Sequence, residues 1–152
     1  MEESRTELIL LAALEALKAL GGPPGLEVNR SRRQAVEPNH LPMTSVYALR
    51  EEPNLPRDKN GNEVRTAPVT DRRFQFVVRS RVQGTDADAD VLRRWAVKAL
   101  FASAALRDLV IDLKEGETEW VAVDGAEDDF TIADTIFSAR HITRRENLSL
   151  TA

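Results

Sequence analysis

Val69-Thr70-Asp71-Arg72-Arg73-Phe74-Gln75-Phe76-Val77-Val78-Arg79-Ser80-Arg81-Val82 is the stretch whose reading decides the fold. Phe74, Phe76, Val78 and Val82 alternate with Arg73, Gln75, Arg79 and Arg81, which is the period of two of a strand with one apolar and one basic face. Val77 is the exception on the basic side. Gly84 closes the strand, and the pattern then changes period. Leu92, Trp95, Ala96, Ala99, Leu100 and Ser103 recur at helical spacing, so a helix is predicted over 86–105. Asp86, Asp88 and Asp90 fall in its first turns and Arg93, Arg94 and Lys98 later, as the helix dipole favours.

Toward the N-terminus, residues 51–67 carry Pro53, Pro56 and the turn-prone run Asp58-Lys59-Asn60-Gly61-Asn62. A hairpin excursion or flexible loop is expected there. Strands are predicted at Thr44–Arg50, after Leu41-Pro42, and at Leu26–Arg33. The chain opens with a helix that Ser4 caps, with Glu7 placed to reach back in a capping box. It stops at Gly21-Gly22-Pro23-Pro24-Gly25. Ile9, Ala13, Ala16, Leu17 and Leu20 form its core side. Leu8, Leu11 and Leu14 flank a narrow polar stripe of Glu15 and Lys18, which is more apolar surface than one packed side needs. Either strands wrap this helix or a partner chain covers the excess. The last third reads as strands at Leu109–Leu113, Glu119–Val123 and Thr131–Thr143, with turns at Glu115-Gly116-Glu117 and Asp124-Gly125. The order α-β-β-β-α-β-β-β indicates one α+β domain over 1–152, a mostly antiparallel mixed sheet with two main helices on one face.

Composition narrows the function classes. The 152 residues include no cysteine, which excludes disulfides, thiolate metal sites and cysteine nucleophiles. His40 and His141 stand far apart and make a poor basis for metal or acid–base chemistry. A net charge of −4 argues against a dedicated nucleic-acid binder. The apolar run Leu8–Leu14 is too short to cross a bilayer, and the acidic start is wrong for a signal peptide, so a cytoplasmic protein is expected. No G-x-S-x-G, H-E-x-x-H, P-loop or G-x-G-x-x-G occurs. Asp86-x-Asp88-x-Asp90 fails as a calcium loop because Val91 and Val97 occupy the positions that need Gly and Glu. The acidic cluster at Asp124–Asp129 is read as a solvated loop. His141 is read as a satisfied strand histidine and Trp95 as core. Trp120 is left open between core and interface anchor.

Charge is more informative than any motif. Leu26–Val82 holds 11 Lys+Arg against 7 Asp+Glu, while Asp108–Asp134 holds only Lys114 against 10 acidic residues. Seventeen of the 21 basic residues are arginine, the type that pairs bidentately with carboxylates at interfaces. Opposite patches on one chain suit head-to-tail self-association. A mixed solvated surface with no assembly meaning is the alternative.

In their order along the chain these features resemble the tail terminator (tail completion) proteins of long-tailed phages, prophages and gene-transfer particles. The resemblance rests on the capped helix with Arg5, Ile9 and the leucine–alanine run to Leu20, then Val28-x-Arg30-Ser31-Arg32, then Leu41-Pro42 leading into Val46-Tyr47. It continues through the Arg73–Val82 strand, Leu92-Arg93-x-Trp95-x-x-x-Ala99-Leu100, Thr118-Glu119-Trp120 and the terminal strand through Thr143. It implies a subunit of a hexameric ring seated on the last tail-tube ring. That ring stops tube polymerisation and presents a surface to the head-side connector. DNA would pass through without specific binding. No catalysis, cofactor, metal or membrane is implied, and the protein would reside in the virion tail after assembly in the bacterial cytoplasm. On this reading Arg73, Arg79 and Arg81 of one copy would meet Glu115, Glu117, Glu119, Asp128 and Asp129 of the next. Trp120 would serve as an anchor, and Leu8 and Leu11 would make ring or tube contacts. The rivals are another head–tail connector or neck subunit, and a small α+β enzyme or ligand-binding module with Arg73, Arg79 and His141 around one pocket.

Overall fold

The computed structural model describes residues 4–30, 42–54, 59–62, 69–123 and 130–144. Helix α1 (Arg5–Ala19) is followed by strands β1 (Glu27–Asn29), β2 (Met43–Asn54) and β3 (Val69–Val82). Helices α2 (Asp86–Ala102) and α3 (Ala104–Leu109) come next, then strands β4 (Asp112–Val123) and β5 (Phe130–Arg144). The strands form one mixed sheet in the order β1-β2-β3-β5-β4, with β1 parallel to β2 and every other pairing antiparallel. This is the expected α+β class with helices on one face. No described helix is long and apolar enough to cross a membrane.

The decisive stretch behaves as its alternation predicts. Phe74, Phe76 and Val78 point toward the helices and join Val46, Phe137 and Ala139 in a core closed by Ile9, Leu10, Ala13, Leu17, Ala96, Ala99, Leu100 and Leu106. The Phe76 ring lies between Phe74 and Phe137, with centroids 5.8 and 5.5 Å away. Phe74 and Phe76 of β3 thus stack with Phe137 of β5, and burying these three rings at the sheet centre supplies a large apolar term. A smaller cluster of Val82, Ala89, Leu92 and Ala133 continues the core under the start of α2.

Several boundaries differ from the expectations, each for a local reason. The Ser4 hydroxyl caps α1 by accepting from the Glu7 backbone N–H at 3.2 Å, but the Glu7 carboxylate turns away to pair with Arg30. That pairing holds its carboxyl below the ordinary carboxylate value, chiefly through the hydrogen bond from Arg30. The capping reciprocity occurs on α2 instead, where Asp88 accepts from the Thr85 backbone N–H at 2.9 Å. Leu20, expected in the core, is exposed, and Leu10 is buried in its place. The reason is that α1 ends there: Gly21 takes a left-handed φ of 66°. Leu8, Leu11 and Leu14 are half-buried. The predicted 86–105 helix breaks at Ser103, whose extended backbone ends α2 and whose hydroxyl caps α3.

The strands also redistribute. Glu51–Asn54, assigned to the 51–67 excursion, extends β2 because Asp71–Phe74 lies opposite and zips the hairpin further. Pro53 is tolerated there because β2 bonds to β1 only at Met43–Ser45, leaving an edge. Residues 55–58 and 63–68 of that excursion lie outside the described residues. The two strands predicted around Glu115-Gly116-Glu117 are one strand, and the glycine marks a bulge rather than a turn. A Cβ at Gly116 would come within 3.0 Å of the Ile136 carbonyl oxygen, which explains why a residue without one sits at this point. The element order is therefore α-β-β-β-α-α-β-β. Of the predicted Leu26–Arg33 strand, only Glu27–Asn29 falls within a described strand.

Candidate functional site: the outer sheet face and the β4 edge

The register of β3 sends Arg73, Gln75, Val77, Arg79 and Arg81 to the face away from the helices. Tyr47, Arg50 and Glu52 of β2 and Ile132, Asp134, Ile136 and Arg140 of β5 share that face. Val77 is buried there against Ile136 and Tyr47, so the basic face has an apolar middle.

Most of its arginines are answered within the chain. Arg79 grips Asp134 with both arms of its fork, Nε at 2.7 Å and Nη2 at 2.8 Å. Its guanidinium stands 5.5 Å from the Tyr47 ring centroid. The hydrogen bonds it donates to Asp134 raise its already high pKa. Arg140, directly opposite Arg73, donates to Asp71 at 2.8 Å, which relieves the like-charge pair. Arg50 reaches Gln75 and, loosely, Glu52. Arg73 is exposed, and no acidic partner pairs with it among the described residues.

Arg81 corrects the expectation of an exposed interface arginine. It is 2% exposed, so it presents nothing to a neighbouring molecule. Its Nη1 lies 3.5 Å from the Met43 sulfur and its Nε has no hydrogen bond. Burial lowers its pKa, with the neighbouring Arg79 adding to the effect. Alternation correctly assigns Arg81 to a face but carries no information about what covers that face.

The acidic residues divide differently. The bulge between Glu115 and Thr118 shifts the side-chain phase of β4, leaving Glu115 on the helix side and Glu119 on the opposite side. Glu115 accepts from Arg93 at 2.9 Å, and Arg93 also pairs with Asp90. Glu115 is thus occupied within its own chain, contrary to the expected interface role. Glu117 and Glu119 are exposed and pair with no described side chain. Asp128 and Asp129 lie outside the described residues. Trp120 resolves toward the surface: it is 42% exposed, with the Arg93 guanidinium 5.7 Å from its ring centroid. Val121, on the opposite side of the same strand, is 43% exposed. A groove of about 560 Å³ lies on the face away from the helices, lined by Val77, Ile136, Tyr47, Leu49, Glu117 and Glu119.

His141 lies opposite Arg72 and faces the helices, not the arginine face. Arg73, Arg79 and His141 therefore do not converge on one pocket. The imidazole is buried with neither nitrogen hydrogen-bonded, so it is not the satisfied strand histidine the sequence suggested. Its Nε2 stands 3.3 Å from Glu51 Oε1, and Arg72 Nη1 is 3.7 Å from the same oxygen. The sequence does not announce this cluster, because Glu51 opens a Pro-containing stretch that reads as a loop or hairpin excursion. Among the described residues no group of three His, Asp or Glu side chains is arranged to hold a metal.

No model of a known protein family matches the chain, and no curated protein matches it in sequence.

Proposed function

We propose that the protein is a structural tail terminator subunit of a phage or phage-like particle. Six copies form a ring on the last tail-tube ring, stop tube growth and offer a docking surface to the head-side connector. The observation that carries this reading is where the chain leaves its chemistry unanswered. Arg73, Glu117 and Glu119 are exposed charges without described partners, and Leu49, Trp120 and Val121 are exposed apolar side chains. All of them lie on the sheet face away from the helices or on a sheet edge rather than in a closed cleft. Surfaces of this kind suit assembly, in which buried aromatic anchors and matched charges do the binding. The resemblance in feature order supplies the specific partners.

The test is light scattering of the purified protein alone and mixed with isolated tail tubes, at low and high salt. Tube-bound protein in multiples of six is expected, whether or not the ring persists in free solution. A monomer at every concentration that also ignores tubes overturns the reading.

A further inference from the structure

The outer edge of β4 is the largest piece of unpaired backbone among the described residues. The strand is twelve residues long and, among the described residues, pairs only with β5. Bare edges of this length are normally shortened, bent away or covered, because their free N–H and C=O groups recruit other strands. Here the bulge at Gly116 disrupts only the first half. Thr118-Glu119-Trp120-Val121-Ala122-Val123 runs on in unbroken register as a β-prone segment with a single charge, and both Trp120 and Val121 are exposed on it.

We propose that this edge is a docking strand for an extended basic segment of a different protein, bound by strand addition. Backbone hydrogen bonds would supply the affinity. Trp120 on one face and Val121 on the other would receive alternate side chains, and Glu117 and Glu119 would select lysine or arginine.

Charge decides between a foreign strand and a second copy. β4 carries Asp112, Glu115, Glu117 and Glu119 against Lys114 alone. Two copies joined β4 to β4 would bring together two strands of like net charge. The opposite end of the sheet is no better. The free part of the β2 edge carries Glu51 and Glu52 against Arg50, and β1 is three residues long with Glu27 its only charge. Arg73, an exposed cation that pairs with no described carboxylate, sits inside the sheet on β3 and has no free backbone to offer. None of the described strands therefore offers a free edge of net positive charge, and the proposal assigns the added strand to another protein. The inference concerns one edge and stands whether or not six copies close into a ring.

The experiment uses the full chain and a short synthetic peptide of alternating arginine and valine, with a glutamate–valine peptide of equal length as control. Binding is followed by tryptophan emission and by amide hydrogen exchange. The basic peptide is expected to bind and to slow exchange at alternate amides of Thr118–Val123 by at least about tenfold, because outward N–H groups gain acceptors. The control is expected to do neither. Glu117→Lys combined with Glu119→Lys should weaken binding by about tenfold or more, while Arg73→Ala leaves it unchanged. Equal binding of both peptides, binding without protection of those amides, or protection of β4 through self-association in the absence of peptide would each overturn the proposal. An absence of binding overturns it as well. A chain that binds the peptide but ignores tail tubes removes the ring reading and leaves this one intact.

Discussion

β3 and β4 are both long strands that mix apolar and charged residues, yet they differ in what answers their charges. β3 lies inside the sheet between β2 and β5. Its Arg79 is held by Asp134 and its Arg72 by Thr143 and Glu51, while Arg81 is buried. β4 lies at the edge, and beyond the bulge its carboxylates face solvent unpaired among the described residues. The two look like complementary patches when read as sequence. In the fold, one is largely neutralised by its neighbours and the other is not. Charge in a strand therefore points to an external partner most readily at an edge, where one flanking strand is missing and cannot supply the counter-charge.

Truncating the core of the central strand should separate the two regions most sharply. Phe76→Ala removes a fully buried ring stacked on both sides and is expected to cost about 3–5 kcal/mol. Trp120→Ala at the edge should cost less than about 1 kcal/mol of stability. Urea titration of both variants checks the contrast, and comparable losses would break it.

The next effect concerns the answered and unanswered charges. Asp134→Ala leaves the largely buried Arg79 without its bidentate acceptor and should destabilise by about 2 kcal/mol. Glu117→Ala and Glu119→Ala should change stability by no more than about 0.5 kcal/mol. If the edge carboxylates mattered as much to folding as Asp134, they would have partners that the described residues do not provide. Gly116→Ala sharpens the edge further. Its methyl would press on the Ile136 carbonyl, with an expected loss of about 1 kcal/mol and altered amide exchange in β4.

The smallest effect is pH-dependent. The folded Glu7 carboxyl is depressed by Arg30, so its contribution is present above the unfolded carboxylate pKa and disappears as pH falls through the lower folded value. The pair is about one-third exposed on each side, so the gain is less than about 1 kcal/mol. Arg30→Ala should lower the denaturation midpoint near neutral pH, and the difference from the parent chain should vanish in acid below the folded value. A difference that grows toward acid would reverse the assignment.

Much of this fold was legible from short-range pattern. Phe74, Phe76 and Val78 gave a period of two, and Leu92, Ala96, Ala99 and Leu100 a helical stripe; both patterns track burial directly. The misreadings concern information held outside the local window. Glu115-Gly116-Glu117 has the composition of a turn, but β5 runs past it and holds both sides in one strand. Pro53 reads as a breaker, yet an edge strand has a side where no N–H is needed. Arg81 lies on the face that alternation assigns to it, but its burial depends on what covers that face. The candidate interface was legible in part: Glu117, Glu119, Trp120 and Arg73 are exposed, whereas Glu115 is taken by Arg93 through a contact between α2 and β4 that no sequence spacing announces.

The assembly reading is tested most directly by adding the purified protein to tail-tube subunits as they polymerise and measuring tube length by electron microscopy. Expected are short tubes, each closed at one end by added density of sixfold symmetry, with lengths that fall as more protein is supplied. Tubes that grow to their usual length with bare ends, while the protein stays in the supernatant as a monomer, would contradict it.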